Sequence, residues 1–404
     1  MADPAPAALG PLAGLRILDI STVVAGPLAA TLLADLGADV LKAEMPGVGD
    51  ALRALAPHKD GVPLWWKVTN RNKKGITLDL RKPAGKVLLA NLLAERDVLV
   101  ENFRPGTLDG WGLTRHWLQA INPKLTILRV TGFGQTGPYR DRPGFARVFE
   151  AMSGFTRICG EEGGTPLHMG YPISDAIGGL FGAVGVLAAL YRLKEDPASR
   201  GQEIDVSVTE AMLRTLDFLA IEYDQLGAVR TASGNRSQYA APGNIYKTKD
   251  GKWASIAAST QSIFTRLCAA LDLGALLSDE RFKNNASRVR NHDPLDDIVG
   301  AAIARFTLAE LRARLDAHEV GFSPIYDASD VFADPQFAAR EAIVRVHDTQ
   351  LGEVRMQCVV PRFSETPGGV RRAGPALGEH NEEIYRGLGL SNEDLVRLRE
   401  EKVI

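Results

Sequence analysis

The sequence predicts an α/β protein: a large open sheet of parallel strands wrapped by helices, with a smaller α+β domain later in the chain. Three observations lead there. An apolar run at 15–20, a helical pattern at 28–36 and a second apolar run at 38–44 make a strand–helix–strand unit, which sets its two strands parallel. The alternation continues, with a helical pattern at 83–96 and strand patterns at 97–102 and 125–131. Past residue 244 the pattern changes, because strand residues flank Asp250 and Gly251, a hairpin turn pair, and three helical patterns follow. A chain of 404 residues is too long for one compact core and suits two domains.

Each element has a local reason. The turn at 21–27 follows the first strand, and Gly37 closes the first helix. Pro83 suits a first helical turn, where its missing N–H costs nothing. The strand at 200–208 leads into a helical pattern at 209–223. Residues 230–244 are rich in Gly, Ser, Asn and Ala and read as a linker or a loop over a site. The hairpin at 245–256 is followed by helical patterns at 262–271, 295–306 and 308–318. Strands at 344–347 and 354–360 and a charged helix at 392–402 finish the chain. Ligands of parallel sheets collect at the carboxyl ends of the strands, so 22–27 and 44–50 face a candidate site.

The stretch from Tyr171 to Leu190 draws most of the attention. Pro172 disfavours helix just before it, Asp175 is a good N-cap type, and from Ala176 to Arg192 the chain carries almost no charge. This reads as a buried helix. Gly178, Gly179, Gly182 and Gly185 each cost a helix roughly 1 kcal/mol relative to Ala, which implies close approach by another backbone or a ligand. An Asp at a helix start stays ionised, because the dipole and free amides favour its charge. In a dry cleft such a carboxylate can act as a nucleophile. By itself, however, the stretch reads more readily as a cap.

Composition excludes several classes of function. Lys and Arg total 47 against 49 acids, so no net basic field recruits nucleic acid or an anionic membrane. The three cysteines, Cys159, Cys268 and Cys358, lack metal or redox spacing and fit a reducing cytoplasm. None of the 7 histidines pairs at ligand spacing, so no metal is expected. Residues 1–8 form a Pro/Ala tail, expected to be disordered, without the basic and apolar regions of a secretory signal. The apolar run after Asp175 is broken by glycines and is expected not to span a membrane. An NAD-linked dehydrogenase is a weak alternative: Glu44 ends the second strand where a ribose-binding acid would sit, but the first turn offers only Gly26 in place of a glycine-rich fingerprint.

Several motifs then converge. Ala25-Gly-Pro27, Leu36-Gly-Ala-Asp-Val-Leu-Lys-Ala-Glu44, Gly49-Asp50, Val100-Glu-Asn-Phe-Arg-Pro-Gly106, Gly132-Phe-Gly134, Gly137-Pro-Tyr139 and Leu377-Gly-Glu-His380 occur in order along nearly the whole chain. Together they resemble the class III CoA-transferases of the formyl-CoA transferase type. The resemblance implies an open parallel-sheet, Rossmann-like large domain built from both chain ends, a small α+β middle domain, and two subunits threaded as an interlocked homodimer. On that basis the large domain takes 9–225 and 344–404, the small domain 245–325, and linkers 226–244 and 326–343. Asp175 falls on the family's catalytic aspartate, which reverses the odds for capping.

The resemblance implies a CoA-transferase with no cofactor, since CoA is a substrate. CoA would pass from an acyl-CoA to a small carboxylic acid through an aspartyl anhydride and an aspartyl-CoA thioester. Carried over by position, the CoA cradle comprises Val23, Val24, Ala25, Leu78, Arg81, Asn102, Phe103 and Arg147, and Glu150 matches a family acid close to the active carboxylate. The region 145–168 is similar to members that use dicarboxylic acyl groups such as succinyl-CoA. Arg147, Arg157 and His168 are therefore candidates for a distal carboxylate. Backbone amides near the helix start, Gly134 or the loop 234–243 are candidates for an oxyanion site.

Departures matter. Met45 and Gly110 stand where formyl-CoA transferases carry arginines, and their run of consecutive lid glycines is absent. The related α-methylacyl-CoA racemases need a second proton carrier, a His just after the glycine that follows the Gly-Pro-Tyr-Arg stretch. Here Gly144 is followed by Phe145 and Ala146, which favours transfer over epimerisation. A non-catalytic acyl-CoA-binding scaffold is the remaining alternative, and the retention of Asp175 argues against it.

Overall fold

The computed structural model describes residues 10–404, so the expected tail at 1–8 lies outside the described residues. The chain divides into two compact units: residues up to 155 with 168–221 and 339–404, and residues 156–167 with 222–338.

The first unit is built on β1 (Arg16–Asp19), α1 (Ala25–Asp35), β2 (Asp39–Glu44), β3 (Lys73–Thr77), α2 (Pro83–Leu93), β4 (Val98–Glu101), β5 (Thr126–Thr131), α3 (Ala146–Met152), α4 (Ile173–Glu195), β6 (Glu203–Ser207) and α5 (Val208–Thr215). The six strands are all parallel, in the order β3-β2-β1-β4-β5-β6. The chain winds outward from β1 to β3 and then returns to β4. The carboxyl ends of β1 and β4 therefore form the switch point at which such sheets bind ligands.

Side chains alternate across the sheet and feed two cores. Leu18, Leu41, Ile76, Leu99 and Ile127 face α2 and the C-terminal segment, where Leu89, Tyr385 and Leu398 cover them. Ile17, Val40, Val100, Leu128 and Val130 face α1 and α4, where Ala29, Leu33, Ala183 and Val186 cover them. The sequence reading missed β3 because Lys73 and Lys74 make it look polar. Lys73 is in fact fully buried, its ammonium 2.8 Å from the Asp19 carboxylate on β1.

The helix glycines find their reason here. A Cβ on Gly179 would come within 2.9 Å of the Ala25 carbonyl oxygen, and one on Gly182 within 3.3 Å of the Ala29 Cβ. Gly178 and Gly185 leave room instead for Val208 and Ile204, each 3.0 Å from where a Cβ would stand, so close approach of α1 and of β6 with its following helix, rather than of a ligand, demands the four. By length and composition α4 could cross a membrane, but this glycine-bearing face is packed against α1 and β5.

The C-terminal segment returns to the edge strand β3. The Tyr385 hydroxyl donates to the Thr77 carbonyl at 2.6 Å, and Asn381 accepts the Thr77 N–H at 2.8 Å. The second unit has its own core around Phe264, Leu267, Leu295 and Leu311. That core packs on a three-stranded antiparallel sheet containing the expected hairpin, Gly243–Lys247 with Trp253–Ala257, and an unforeseen third strand at Phe322–Pro324.

Candidate active site

The loop after β1 is shaped by a buried charge network. Lys42 on β2 and Lys73 on β3 flank Asp19, all without solvent contact. Burial works to raise the Asp19 pKa, but the two ammonium groups outweigh it and hold the carboxyl below its ordinary range. Lys42 also reaches Asp50 at 3.5 Å and the Ser21 carbonyl. Asp50 in turn accepts the N–H of Val23 at 3.0 Å and that of Leu52 at 2.8 Å. Val23 has φ +67, an uncommon state for a β-branched residue, and Asp50 clamps it there. On the other side, Thr22 and Asn102 exchange two hydrogen bonds of 2.7 Å, tying the end of β1 to the end of β4.

This frame opens into a cavity of about 420 Å³ at the ends of β1, β4 and β5. Val23, Val24, Ala25, Asn102 and Phe103 line it, as does Asp175. A smaller pocket of about 170 Å³ shares Thr22 and Phe103 with it and is bounded by Met45, Leu78, Leu80 and Trp111. Phe103 and Trp111 meet edge to face there, with centroids 5.2 Å apart. Arg81 lies at the rim of that region: it pairs with Asp79 at 2.8 Å and touches the Met45 sulfur at 3.4 Å.

Asp175 does not cap its helix. The helix begins at Ile173 with Pro172 in the cap position, so Asp175 is the third helical residue, and its carboxylate takes no hydrogen bond from any described residue. The expectation that it stays readily ionised is also corrected. Burial first, and the charge of Glu150 second, push its carboxyl from the ordinary 3.8 up to about 7. These two effects outweigh the helix dipole.

Glu150, on α3, is fully buried. One of its oxygens lies 3.2 Å from His168 Nδ1, and the other has no hydrogen-bond partner among the described residues. Arg147 sits one turn earlier on α3 and lines neither cavity. It borders a third hollow, of about 200 Å³, with Trp65, Met169 and Tyr171. Arg157 is exposed and belongs to the second unit, as does the loop 234–243. Gly134 is absent from the cavity wall; its turn is held by Asp205, which accepts the Gln135 N–H at 2.9 Å.

Three cationic residues of the cavity wall were not singled out from the sequence: Arg104, Arg140 and Arg142. The signal was present, since each lies on a glycine-bearing loop directly after a strand of the parallel sheet. Phe145 also faces the cavity and carries no titratable group.

Residues 12–381 match the family described as CoA-transferase family III. The chain is 43% identical to a succinyl-CoA–D-citramalate CoA-transferase of Chloroflexus aurantiacus, over 98% of each chain. It is 42% identical, again over 98% of each, to the beta subunit of a succinyl-CoA–L-malate CoA-transferase of that organism. Among solved structures, a CAIB/BAIF family protein from Brucella suis aligns with a TM-score of 0.84 and 33% identity, covering 94% of this chain and 99% of that one.

Proposed function

The chain belongs to CoA-transferase family III, and on that premise we propose that it moves CoA from succinyl-CoA to a small dicarboxylic or hydroxy-dicarboxylic acid by acylation of Asp175. One observation carries the reading: a single desolvated carboxylate, without a hydrogen-bond partner among the described residues, stands in the wall of the cavity at the sheet's switch point. The named substrates of the relatives support the choice of acids.

The chemistry follows from balance. The Asp175 carboxylate attacks the thioester carbonyl; a C–O bond forms, the C–S bond breaks, and CoA thiolate leaves an acyl-aspartyl anhydride. The thiolate attacks the aspartyl carbonyl and expels the first acid as its carboxylate, giving aspartyl-CoA thioester. The acceptor carboxylate then displaces the thiolate to form a second anhydride. The thiolate takes the acceptor's acyl carbon and frees Asp175. No phosphoanhydride is consumed. Burial and the charge of Glu150 disfavour the free carboxylate but not its neutral acylated forms, so both favour acylation.

In this reading the smaller pocket takes the adenine against Phe103, Trp111 and Leu78, with Arg81 at its rim. The thioester arm passes Thr22 to Val24, while Arg104, Arg140 and Arg142 supply the cations for the phosphates in place of the arginines missing at 45 and 110. Phe145 brings no second proton carrier, which supports transfer over epimerisation. A cytoplasmic, interlocked homodimer is part of the proposal. Leu180, Val184, Leu187 and Tyr191 form an exposed apolar stripe at helical spacing on α4, the kind of face a second copy would cover.

The test is chemical trapping. Incubation with succinyl-CoA followed by hydroxylamine or borohydride should mark Asp175 in the peptide mass spectrum, and Asp175→Ala should abolish both label and exchange. Exchange that persists in Asp175→Ala would sink the reading.

A further inference from the structure

We propose that Arg147, with Trp65, Met169 and Tyr171, forms the subsite that holds the distal carboxylate of the dicarboxylic acid and is not part of the CoA cradle. The inference rests on the preceding reading of Asp175 and adds where its acid is gripped.

Arg147 is absent from the walls of both cavities assigned to CoA and borders its own hollow of about 200 Å³. That volume suits a four- or five-carbon acid and is too small for a nucleotide with its pantetheine arm. The walls match the ligand's chemistry. Trp65 and Tyr171, with ring centroids 6.3 Å apart, and Met169 offer apolar surface to methylenes, and one guanidinium offers a fork to a carboxylate. Among the described residues Arg147 makes no hydrogen bond or ion pair, whereas Arg53, Arg71 and Arg129 are each bound to a carboxylate of the fold.

The hollow also lies beside the reacting group. Arg147 and Glu150 are three apart on α3 and share a face. Glu150 is the group whose charge Asp175 feels, and Tyr171, in the wall of the hollow, feels the charge of Asp175. The two helices are joined where they meet: the Ser174 hydroxyl, next to Asp175, donates to the Ala146 carbonyl, next to Arg147, at 3.0 Å. His168, the other basic candidate in this unit, already has Nδ1 beside Glu150. Donor and acceptor acids occupy the acyl site in turn, so one distal subsite serves both halves of the exchange.

The experiment compares Arg147→Ala and Arg147→Lys with the wild type, using glutarate as acceptor, and measures free CoA binding by calorimetry. Loss of a charge-assisted pair raises the KM for glutarate at least about tenfold in R147A. The lysine variant, which keeps charge but loses the fork, falls between. CoA affinity stays unchanged. A fall in CoA affinity with the glutarate KM intact would place Arg147 on the phosphates and overturn the proposal, as would no change in either. Failure of the Asp175 reading is separate, because it shows as exchange surviving Asp175→Ala, which leaves Arg147 untouched.

Discussion

Replacing Asp175 with Asn separates a desolvated carboxylate from a helix cap, because only the first predicts a pH-dependent gain in stability. The carboxyl titrates near 7 in the fold against an ordinary 3.8, raised by burial and by Glu150. Below pH 4 it is protonated in both folded and unfolded chains and contributes no difference. Between pH 4 and 7 the unfolded chain ionises freely while the folded one resists, so the wild type loses stability. Above 7 the penalty is complete and constant. At about 1.4 kcal/mol per pH unit the ceiling is about 4 kcal/mol, and partial solvent contact lowers it to about 2–3 kcal/mol. Asn fills the same space without charge. Asp175→Asn should therefore melt with the wild type at pH 4 and at least about 3 °C higher at pH 8.5, while CoA exchange is lost. Thermal melts at a series of pH values, paired with the exchange assay, read both effects. A gap that is absent, or that narrows as pH rises, would refute the argument, since a simple cap exchanged for Asn gives neither gap nor slope.

Two further outcomes follow from the same geometry. Glu150→Gln removes one of the two causes that raise the Asp175 pKa, so the acidic limb of kcat/KM for acyl-CoA should move below pH 7; a pH–rate profile checks the direction. Gly179→Ala should destabilise the protein by about 1–3 kcal/mol in urea, despite alanine's better helix propensity, because its Cβ would lie 2.9 Å from the Ala25 carbonyl oxygen.

Much of the fold was legible because apolar residues in parallel strands must be buried on both faces. The runs at 15–20, 38–44, 97–102 and 125–131 could be little else, and each is a strand of the sheet. β3 escaped because a buried lysine is written like an exposed one; only the partner Asp19, fifty-four positions away, distinguishes them. In the same way, Arg104, Arg140 and Arg142 stood in plain sight on strand-end loops, but nothing local says which loop cations turn toward a cavity.

The alternation of strands and helices and the glycines at 178–185 belong to the sequence, since each depends on residue type and spacing along one stretch of chain, and the candidacy of Asp175 belongs to it through motifs spread over nearly the whole chain. The tertiary structure alone decided the surroundings of that aspartate. Its place within the helix, its neighbour Glu150 and its loss of water arise from segments distant in sequence, and a carboxylate's readiness to react is set by the dielectric and charge around it, which only packing fixes.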